Sequence, residues 1–160
     1  MGIAYTSLDT TKLSTAEVYA HTLCEIAQED PRIVTLTADL AKSTKIGVFQ
    51  EKFPERFVNL GIAEQNMFGI AAGMAACGLI PFTCTFAIFN SCRALDQVHT
   101  DICYQNLNVK MIASHAGTSF GQAGSTHHAT EDIAIMRTMA NLVVLVPADG
   151  QEAAAAVRAA

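Results

Sequence analysis

Short runs of β-branched and apolar residues alternate along the chain with longer stretches whose apolar residues recur at helical spacing. The short runs have the length of buried β-strands, and the longer stretches are typical of amphipathic helices. Strands are predicted at residues 33–37, 57–60, 80–85, 109–114 and 142–146. Helices are predicted at residues 14–29, where S-T-A-E opens the helix in capping-box spacing, and at 43–52, 63–77, 90–104, 130–139 and from 150 onward.

This alternation of strand and helix predicts an α/β protein. Right-handed crossovers would give a three-layer, doubly wound and mainly parallel sheet with helices on both faces. Such sheets bind ligands at the carboxyl ends of their strands, where the loops gather. The polar loops of the chain fall at those ends, at residues 38–44, 61–64, 86–90, 115–128 and 147–150.

Length and composition favour one domain over residues 1–160, because 160 residues that are 51% hydrophobic can bury one sizeable core. The last predicted helix ends without a glycine cap or a proline, so we expect that a further C-terminal domain can follow it. The formal net charge is −5 and the basic residues are dispersed, which disfavours nucleic acid and anionic membranes as partners.

A cytoplasmic location is expected, because the chain shows neither a signal-peptide pattern nor an apolar stretch of about 18 residues.

The five cysteines are scattered and form no C-x-x-C pair, which argues against a disulfide framework and against a zinc site. The G-x-G-x-x-G, G-x-x-x-x-G-K-[ST] and G-x-S-x-G motifs are absent, so the commonest nucleotide-binding and hydrolase interpretations lack support.

One carboxylate stands out at the start of the predicted helix 63–77. Glu64 follows a glycine turn and opens a helix that is otherwise apolar and rich in glycine and alanine. A helix with such small side chains can approach another surface closely, and Glu64 would be carried into that contact. The small residues at helical spacing favour either self-association or packing against the chain's own sheet; they are Gly69, Ala72, Gly73 and Ala76.

Five motifs in order carry a resemblance to a known family. They are TADLAKST (37–44), GIAEQNMFGIAAGMAACGLIPF (61–82), TFAIFNSCRALDQV (85–98), SHAGTSFGQAGSTHHATEDIAIMR (114–137) and NLVVLVPAD (141–149). Together they resemble the pyrimidine-binding domain of transketolases. The resemblance implies the thiamine diphosphate-binding fold and a cofactor, thiamine diphosphate, that is bound at a dimer interface with a diphosphate-binding domain.

The resemblance assigns Glu64 to the cofactor's aminopyrimidine. There it would serve as general acid and base through one hydrogen bond to the ring nitrogen, so that the cofactor can ionise its own thiazolium carbon. The alternative for an isolated motif is a glutamate that only complements the helix dipole. Phe86 and Phe89 match aromatic residues that pack around the aminopyrimidine, and Cys92 falls where transketolases usually have a tyrosine that closes this pocket.

Two histidines match family residues that line the substrate channel. His115 would lie towards the phosphate end of the substrate and His127 near the reacting hydroxyls, and either imidazole could donate to a developing alkoxide or relay a proton. Asp39 and Ser43 match a loop that reaches towards the substrate, although a turn or a helix cap would explain them equally well.

Departures from the family pattern leave the substrate open. Ser14 lies in the neighbourhood where transketolases have an arginine for the sugar phosphate, and the stretch 123–127 lacks the aspartate that recognises a substrate hydroxyl. The chain also lacks the G-D-G and asparagine that hold Mg²⁺ and diphosphate in this superfamily. It therefore resembles one half of an active site, inactive alone, whose diphosphate-binding partner chain holds the Mg²⁺, as in split transketolases.

The function implied by the resemblance is transfer of a two-carbon ketol unit between sugar-like substrates, by a transferase that also forms a homodimer through this domain. Three alternatives remain open: a 1-deoxyxylulose-5-phosphate synthase-like component, a 2-oxoacid dehydrogenase E1 β-like component, and a non-catalytic assembly module. The string Arg93-Ala94-Leu95-Asp96-Gln97 resembles R-A-Y-D-Q of the synthase, whereas the S-T-H-H loop argues against the dehydrogenase component.

Overall fold

A four-stranded parallel sheet forms the centre of the computed structural model, which describes residues 6–160. The strands are β1 (Ile33–Thr37), β2 (Phe57–Asn59), β3 (Ile80–Phe86) and β4 (Lys110–Ser114), in the spatial order β2-β1-β3-β4. The helices are α1 (Thr15–Glu29), α2 (Gly47–Lys52), α3 (Glu64–Ala76), the short α4 (Leu95–Gln97), α5 (Asp132–Met136) and α6 (Gly150–Ala159).

Helix α1 begins where its capping box predicts. The Glu17 backbone N–H donates to Ser14 Oγ at 3.2 Å, and the Ser14 backbone N–H donates to Glu17 Oε2 at 2.9 Å. These reciprocal bonds satisfy groups that a helix start would leave unpaired. The helix then buries Val18 and Leu23 completely.

Helices cover both faces of the sheet, which confirms the three-layer, doubly wound prediction. On one face, α1, α2 and α6 pack on the sheet around a core that includes Leu23, Phe49 and Phe82. On the other face, α3 and the segment 89–103 pack around Leu36 and Phe68. All five residues of β1 are buried, because this strand lies inside the sheet and is covered on both sides.

The order of the strands creates a switch point between β1 and β3. The chain leaves β1 for β2 on one side and then crosses to β3 on the other side, with Thr37 of β1 in register with Asn59 and with Cys84. Ligands of doubly wound proteins bind outside the carboxyl ends of the strands at such a point. The loops that begin at residues 38, 60, 87 and 115 all lie at that edge.

The predicted strand at residues 142–146 is wrong, because the structure of residues 6–160 leaves this segment outside the sheet. Leu142 and Val144 pack against the core, whereas Val143 and Leu145 are exposed. Burial therefore alternates over residues 142–145 as in a strand, but Val146 is exposed, and the sequence does not show the alternation because all five residues are apolar. The pattern carries no information about a neighbouring strand, which a ladder of backbone hydrogen bonds requires.

The predicted regular helix at residues 90–104 is also partly wrong. It consists of a π-helical turn (Phe89–Arg93), the short α4, and a second π-helical stretch (Val98–Cys103). Single π-helical turns are frequent at functional sites. Helices α2 and α5 are shorter than predicted. No helix within residues 6–160 is long and apolar enough to cross a bilayer.

Candidate active site

Glu64 is the first residue of α3, and its side chain is buried although it carries a carboxylate. The chain reaches it through a turn at Gly61, whose φ of +71° lies in the left-handed region that favours glycine. Helix α3 then packs Met67 and Phe68 into the core. The helix start therefore brings a carboxylate that is only 2% exposed to the carboxyl edge of the sheet.

Arg93 is the ionic partner of this carboxylate. Its Nη1 atom lies 3.1 Å from Oε1 and 3.1 Å from Oε2 of Glu64. The guanidinium carbon of Arg93 lies 3.8 Å from the centroid of the Phe89 ring, which is a close cation–π contact. Phe89 and Arg93 are four residues apart in the π-helical turn. This turn thus packs the Phe89 ring against the cation that pairs with Glu64.

Asn59 fixes the turn that precedes Glu64. Its side-chain oxygen accepts the backbone N–H of Asp39 at 3.0 Å and the backbone N–H of Gly61 at 3.1 Å. One amide side chain therefore joins the loop after β1 to the loop after β2. Asp39 has a φ of +60°, a strained value for a residue with a side chain, and such values are frequent at functional sites.

Five aromatic rings gather beyond the carboxyl ends of β3 and β4. Phe86, the last residue of β3, is at the centre, with ring centroids 4.7 Å from His115, 4.9 Å from Phe120 and 5.6 Å from Phe89. His127 completes the group at 5.3 Å from Phe89 and 5.6 Å from Phe120. We call these five residues the ring cluster. All of the ring pairs in contact within this cluster are tilted or edge-to-face, and none is a face-to-face sandwich, which aromatic rings disfavour.

His115 enters the ring cluster directly from the end of β4. Its backbone has a φ of +58°, and its Nδ1 atom lies 2.9 Å from the hydroxyl oxygen of Ser114. Burial lowers the pKa of His115 below its ordinary value, because desolvation disfavours the charged imidazolium. The imidazole is thus biased towards its neutral form, which can both accept and donate a proton.

His127 reaches the ring cluster because the loop that carries it is closed on itself. Gly117 and Ala129 exchange two backbone hydrogen bonds of 2.9 Å, which brings the two ends of the loop together. The Nδ1 atom of His127 lies 2.9 Å from Thr126 Oγ1. The neighbouring His128 donates from Nε2 to the Gly121 carbonyl at 3.2 Å, so its ring is engaged within the loop.

The remaining predicted site residues lie around this centre. Asp39 and Ser43 are exposed in the loop after β1, and Asp39 is tied to Asn59 rather than to a ring. Cys92 is exposed in the π-helical turn, where its sulfur lies 4.0 Å from Glu131 Oε1. The structure therefore brings Phe86, Phe89, His115 and His127 into one cluster and links Glu64 to it through Arg93.

Two residues of this arrangement were missed by the sequence reasoning. Phe120 contacts Phe86 and both cluster histidines, and Arg93 pairs with Glu64. A bulky apolar residue inside the glycine-rich loop 115–128 was a usable signal for Phe120. The spacing of four residues between Phe89 and Arg93 is compatible with stacking, but nothing in the sequence indicates that Glu64 lies opposite.

The arrangement offers an apolar wall of phenylalanine rings, two imidazoles and one buried carboxylate. A flat, partly polar heterocycle suits such surroundings, because rings cover its faces and a carboxylate can accept from one edge. The imidazoles can exchange protons with a polar substrate. Among residues 6–160, no three side chains of histidine, cysteine, aspartate or glutamate come together as metal ligands.

Comparison with known proteins gives one family. The sequence profile of "Transketolase, pyrimidine binding domain" matches residues 11–160. A "Putative transketolase C-terminal section" from Methanocaldococcus jannaschii is 47% identical over 131 residues, which are 82% of this chain and 42% of that protein. A "1-deoxy-D-xylulose-5-phosphate synthase" from Lawsonia intracellularis is 41% identical over 141 residues, which are 88% of this chain and 22% of that protein.

A solved structure agrees with this similarity. It is described as "Split gene transketolase, inactive beta4 tetramer", shares 49% sequence identity and superimposes with a TM-score of 0.81. The superposition covers 92% of this chain and 47% of that one. The chain thus spans less than half the length of the proteins that it matches.

Proposed function

Because the chain belongs to the transketolase family, as its pyrimidine-binding domain, we propose that it supplies one half of the active site of a thiamine diphosphate-dependent transketolase. When bound, thiamine diphosphate supplies a carbon nucleophile that can accept and release a two-carbon ketol unit. The proposed reaction is transfer of such a unit between two sugar-like substrates. We further propose that residues 1–160 form a single pyrimidine-binding domain.

The residues present fit the aminopyrimidine of the cofactor. Glu64 is a buried carboxylate, and a buried carboxylate is stable only with a charged or hydrogen-bonding partner. It would hold the ring nitrogen and move a proton to and from it. Phe86 and Phe89 would cover the ring, with Cys92 at the edge of the pocket. The single observation that carries the proposal is this buried Glu64, linked through Arg93 to a cluster of aromatic rings.

The substrate would enter beside the two cluster histidines. His127 would act as a proton donor and acceptor at the reacting hydroxyls, and His115 would line the channel further out. The lowered pKa of His115 supports a neutral imidazole there. Asp39 and Ser43, exposed in the loop after β1, would contact the far end of the substrate. Their exposure leaves them accessible to a ligand.

The other half of the site would come from a diphosphate-binding partner chain. That partner would hold Mg²⁺ and the diphosphate, and the isolated chain would be inactive. We also propose that two copies of the domain form a homodimer and that the enzyme is cytoplasmic. The support for a partner is that the chain resembles a protein described as a carboxy-terminal section and another described as split.

Titration with thiamine diphosphate and Mg²⁺ tests the proposal. Calorimetry should detect negligible binding to the chain alone and clear saturable binding after its diphosphate-binding partner is added. A matched control uses the partner alone, which should bind more weakly than the assembled pair because it lacks Glu64 and the ring cluster. Equal binding by the partner alone and by the pair would refute a cofactor site shared with this chain.

A second candidate, a 1-deoxyxylulose-5-phosphate synthase-like component, is favoured by one observation. The relative with that name is 41% identical to the chain, and Arg93 falls at the arginine of the synthase motif R-A-Y-D-Q. Product analysis by mass spectrometry separates the two functions. Formation of 1-deoxy-D-xylulose 5-phosphate by the assembled enzyme would support the synthase, whereas sugars altered by two carbons would support the transketolase.

A further inference from the structure

We propose that Arg93 is a positioning residue that holds Glu64 in place before cofactor binds, and that Glu64 exchanges this arginine for the aminopyrimidine on binding. The inference rests on the proposed function, because it takes Glu64 as the residue that meets the pyrimidine. It goes further by assigning a competing internal partner to that carboxylate. The predicted consequence is that the ion pair weakens cofactor binding.

Without cofactor, the Glu64 carboxylate depends on Arg93 as its charged partner. Both oxygens of Glu64 lie 3.1 Å from the same guanidinium nitrogen, and the Glu64 side chain is only 2% exposed. Among residues 6–160, Arg93 is the cation that forms a salt bridge with Glu64. A buried carboxylate without a partner is costly, so this pair keeps Glu64 in its present position.

The guanidinium also resembles an aminopyrimidine in the contacts that it makes. Both groups are planar, both can offer N–H donors to a carboxylate, and both can pack on an aromatic face. Arg93 uses both contacts at once, because it pairs with Glu64 and lies 3.8 Å above the Phe89 ring. An aminopyrimidine held by Glu64 and covered by Phe89 needs the same two surfaces. Arg93 and the aminopyrimidine therefore compete for the Glu64 carboxylate and for the face of the Phe89 ring.

Arg93 is able to leave, because its side chain is 45% exposed while its carboxylate partner is buried. After the exchange the guanidinium can be hydrated, whereas Glu64 gains the heterocycle in place of the lost cation. Because the neutral heterocycle brings no charge, one proton is taken up from solvent during the exchange and is shared between the Glu64 carboxylate and the ring nitrogen. No buried charge is then left alone on either side of the exchange. This asymmetry in exposure makes Arg93, and not Glu64, the partner that moves.

Cofactor affinity of the assembled complex, measured by calorimetry, provides the test. Replacing Arg93→Met removes the competing charge and keeps an unbranched apolar side chain. The dissociation constant for thiamine diphosphate should fall about tenfold, which corresponds to about 1.4 kcal/mol, on the order of one charge-assisted hydrogen bond. The matched control Arg32→Met removes an exposed arginine that pairs with Asp30 at the opposite edge of the sheet, and should leave the affinity unchanged.

A double-mutant cycle shows whether Arg93 acts on cofactor binding through its ion pair with Glu64 or through an unrelated change in structure. In a Glu64→Gln background the further change Arg93→Met should no longer tighten binding, because the ion pair is already absent. Arg93→Lys retains the charge but loses the planar group that packs on the Phe89 ring, so its affinity for thiamine diphosphate should lie between those of the wild type and Arg93→Met. If Arg93→Met fails to fold, the lysine variant provides the test by itself. Tighter binding of thiamine diphosphate by Arg93→Lys would support the proposal, and unchanged or weaker binding would overturn it.

Three results would overturn the inference. They are unchanged affinity in Arg93→Met, weaker binding in that variant, and the same effect of the methionine in the Glu64→Gln background. Failure of the wild-type complex to bind thiamine diphosphate would instead refute the proposed function. The two failures are therefore distinguishable in one series of titrations.

Discussion

Glu64 and the two cluster histidines lie at the same edge of the sheet, but different forces hold them. Glu64 is rigidly attached to the start of α3, and its carboxylate is held by one charged partner, Arg93. His115 and His127 belong to a loop outside the sheet, and ring contacts with Phe86 and Phe120 hold them.

This difference separates two functions of one site. A charge pair can be exchanged for another polar partner at little net cost, whereas tilted rings in contact keep their relative positions without any exchangeable partner. The carboxylate is thus suited to accept a new group, and the histidines are suited to stay where they are. We therefore expect substitution of Glu64 to lower turnover and substitutions in the ring cluster to lower folding stability.

The largest effect is expected on the carboxylate side. Glu64→Gln keeps the size of the side chain but removes the exchangeable proton, so turnover of the assembled enzyme should fall by about 10²- to 10⁴-fold. Size-exclusion chromatography should show unchanged assembly, and Glu29→Gln, an exposed residue at the end of α1, should leave turnover unchanged. Full turnover in Glu64→Gln would favour a non-catalytic module or a different catalytic residue.

Variants of the ring cluster, in contrast, are expected to lower the folding stability of the protein. Phe86 is 3% exposed at the end of β3, so Phe86→Ala should lower the free energy of unfolding by about 3 kcal/mol. Phe120 is only partly buried in its loop, and Phe120→Ala should cost about 1 kcal/mol. Urea unfolding measures both values. Equal losses in the two variants would contradict the view that Phe86 is the centre of the cluster.

A smaller effect is expected at the backbone anchor of Glu64. Asn59→Ala removes the oxygen that accepts the amides of Asp39 and Gly61, which should cost about 1 kcal/mol of folding free energy. Hydrogen exchange of these two amides should become faster. Asn108→Ala, which changes an exposed asparagine just before β4, serves as the control and should leave both amides protected. Protection of both amides in Asn59→Ala would mean that the turn is fixed by other contacts.

Local signals account for the parts of the fold that the sequence predicted well. The capping box at Ser14 and Glu17 places the start of α1, because both partners lie within one turn of the helix. The apolar run at residues 33–37 gives β1, because a strand covered on both faces needs apolar residues throughout. Glu64 could be singled out because its glycine turn and its small-residue helix are adjacent in sequence.

The parts that were missed depend on contacts between distant residues. Arg93 lies 29 positions from Glu64 along the chain. Phe120 contacts Phe86 because β4, which precedes the loop of Phe120, pairs with β3, which ends at Phe86. The π-helical turns of the segment 89–103 likewise have no periodic signal, since one extra residue in a turn hardly changes the apolar pattern. Segment 142–146 shows the converse, because its apolar pattern does not reveal whether a strand pairs with it.

The smallest expected effect concerns the pH dependence of the ring cluster. Burial lowers the pKa of His115 in the folded protein, so the unfolded chain binds this proton more readily. Above the ordinary histidine pKa of about 6.5, both states are neutral and the residue contributes nothing to pH dependence. As the pH falls through this value the unfolded state gains the proton first, so stability is lost with acidification.

His115→Gln should therefore lose less stability than the wild type between about pH 7.5 and 5.5, because glutamine does not titrate in the range around the histidine pKa. NMR titration of the imidazole should give a pKa below the ordinary value in the folded protein, and the ordinary value in urea. A folded pKa at or above the ordinary value would show that the rings do not desolvate His115. It would then be an open, hydrated side chain, and the contrast with the exchangeable ion pair of Glu64 would no longer hold.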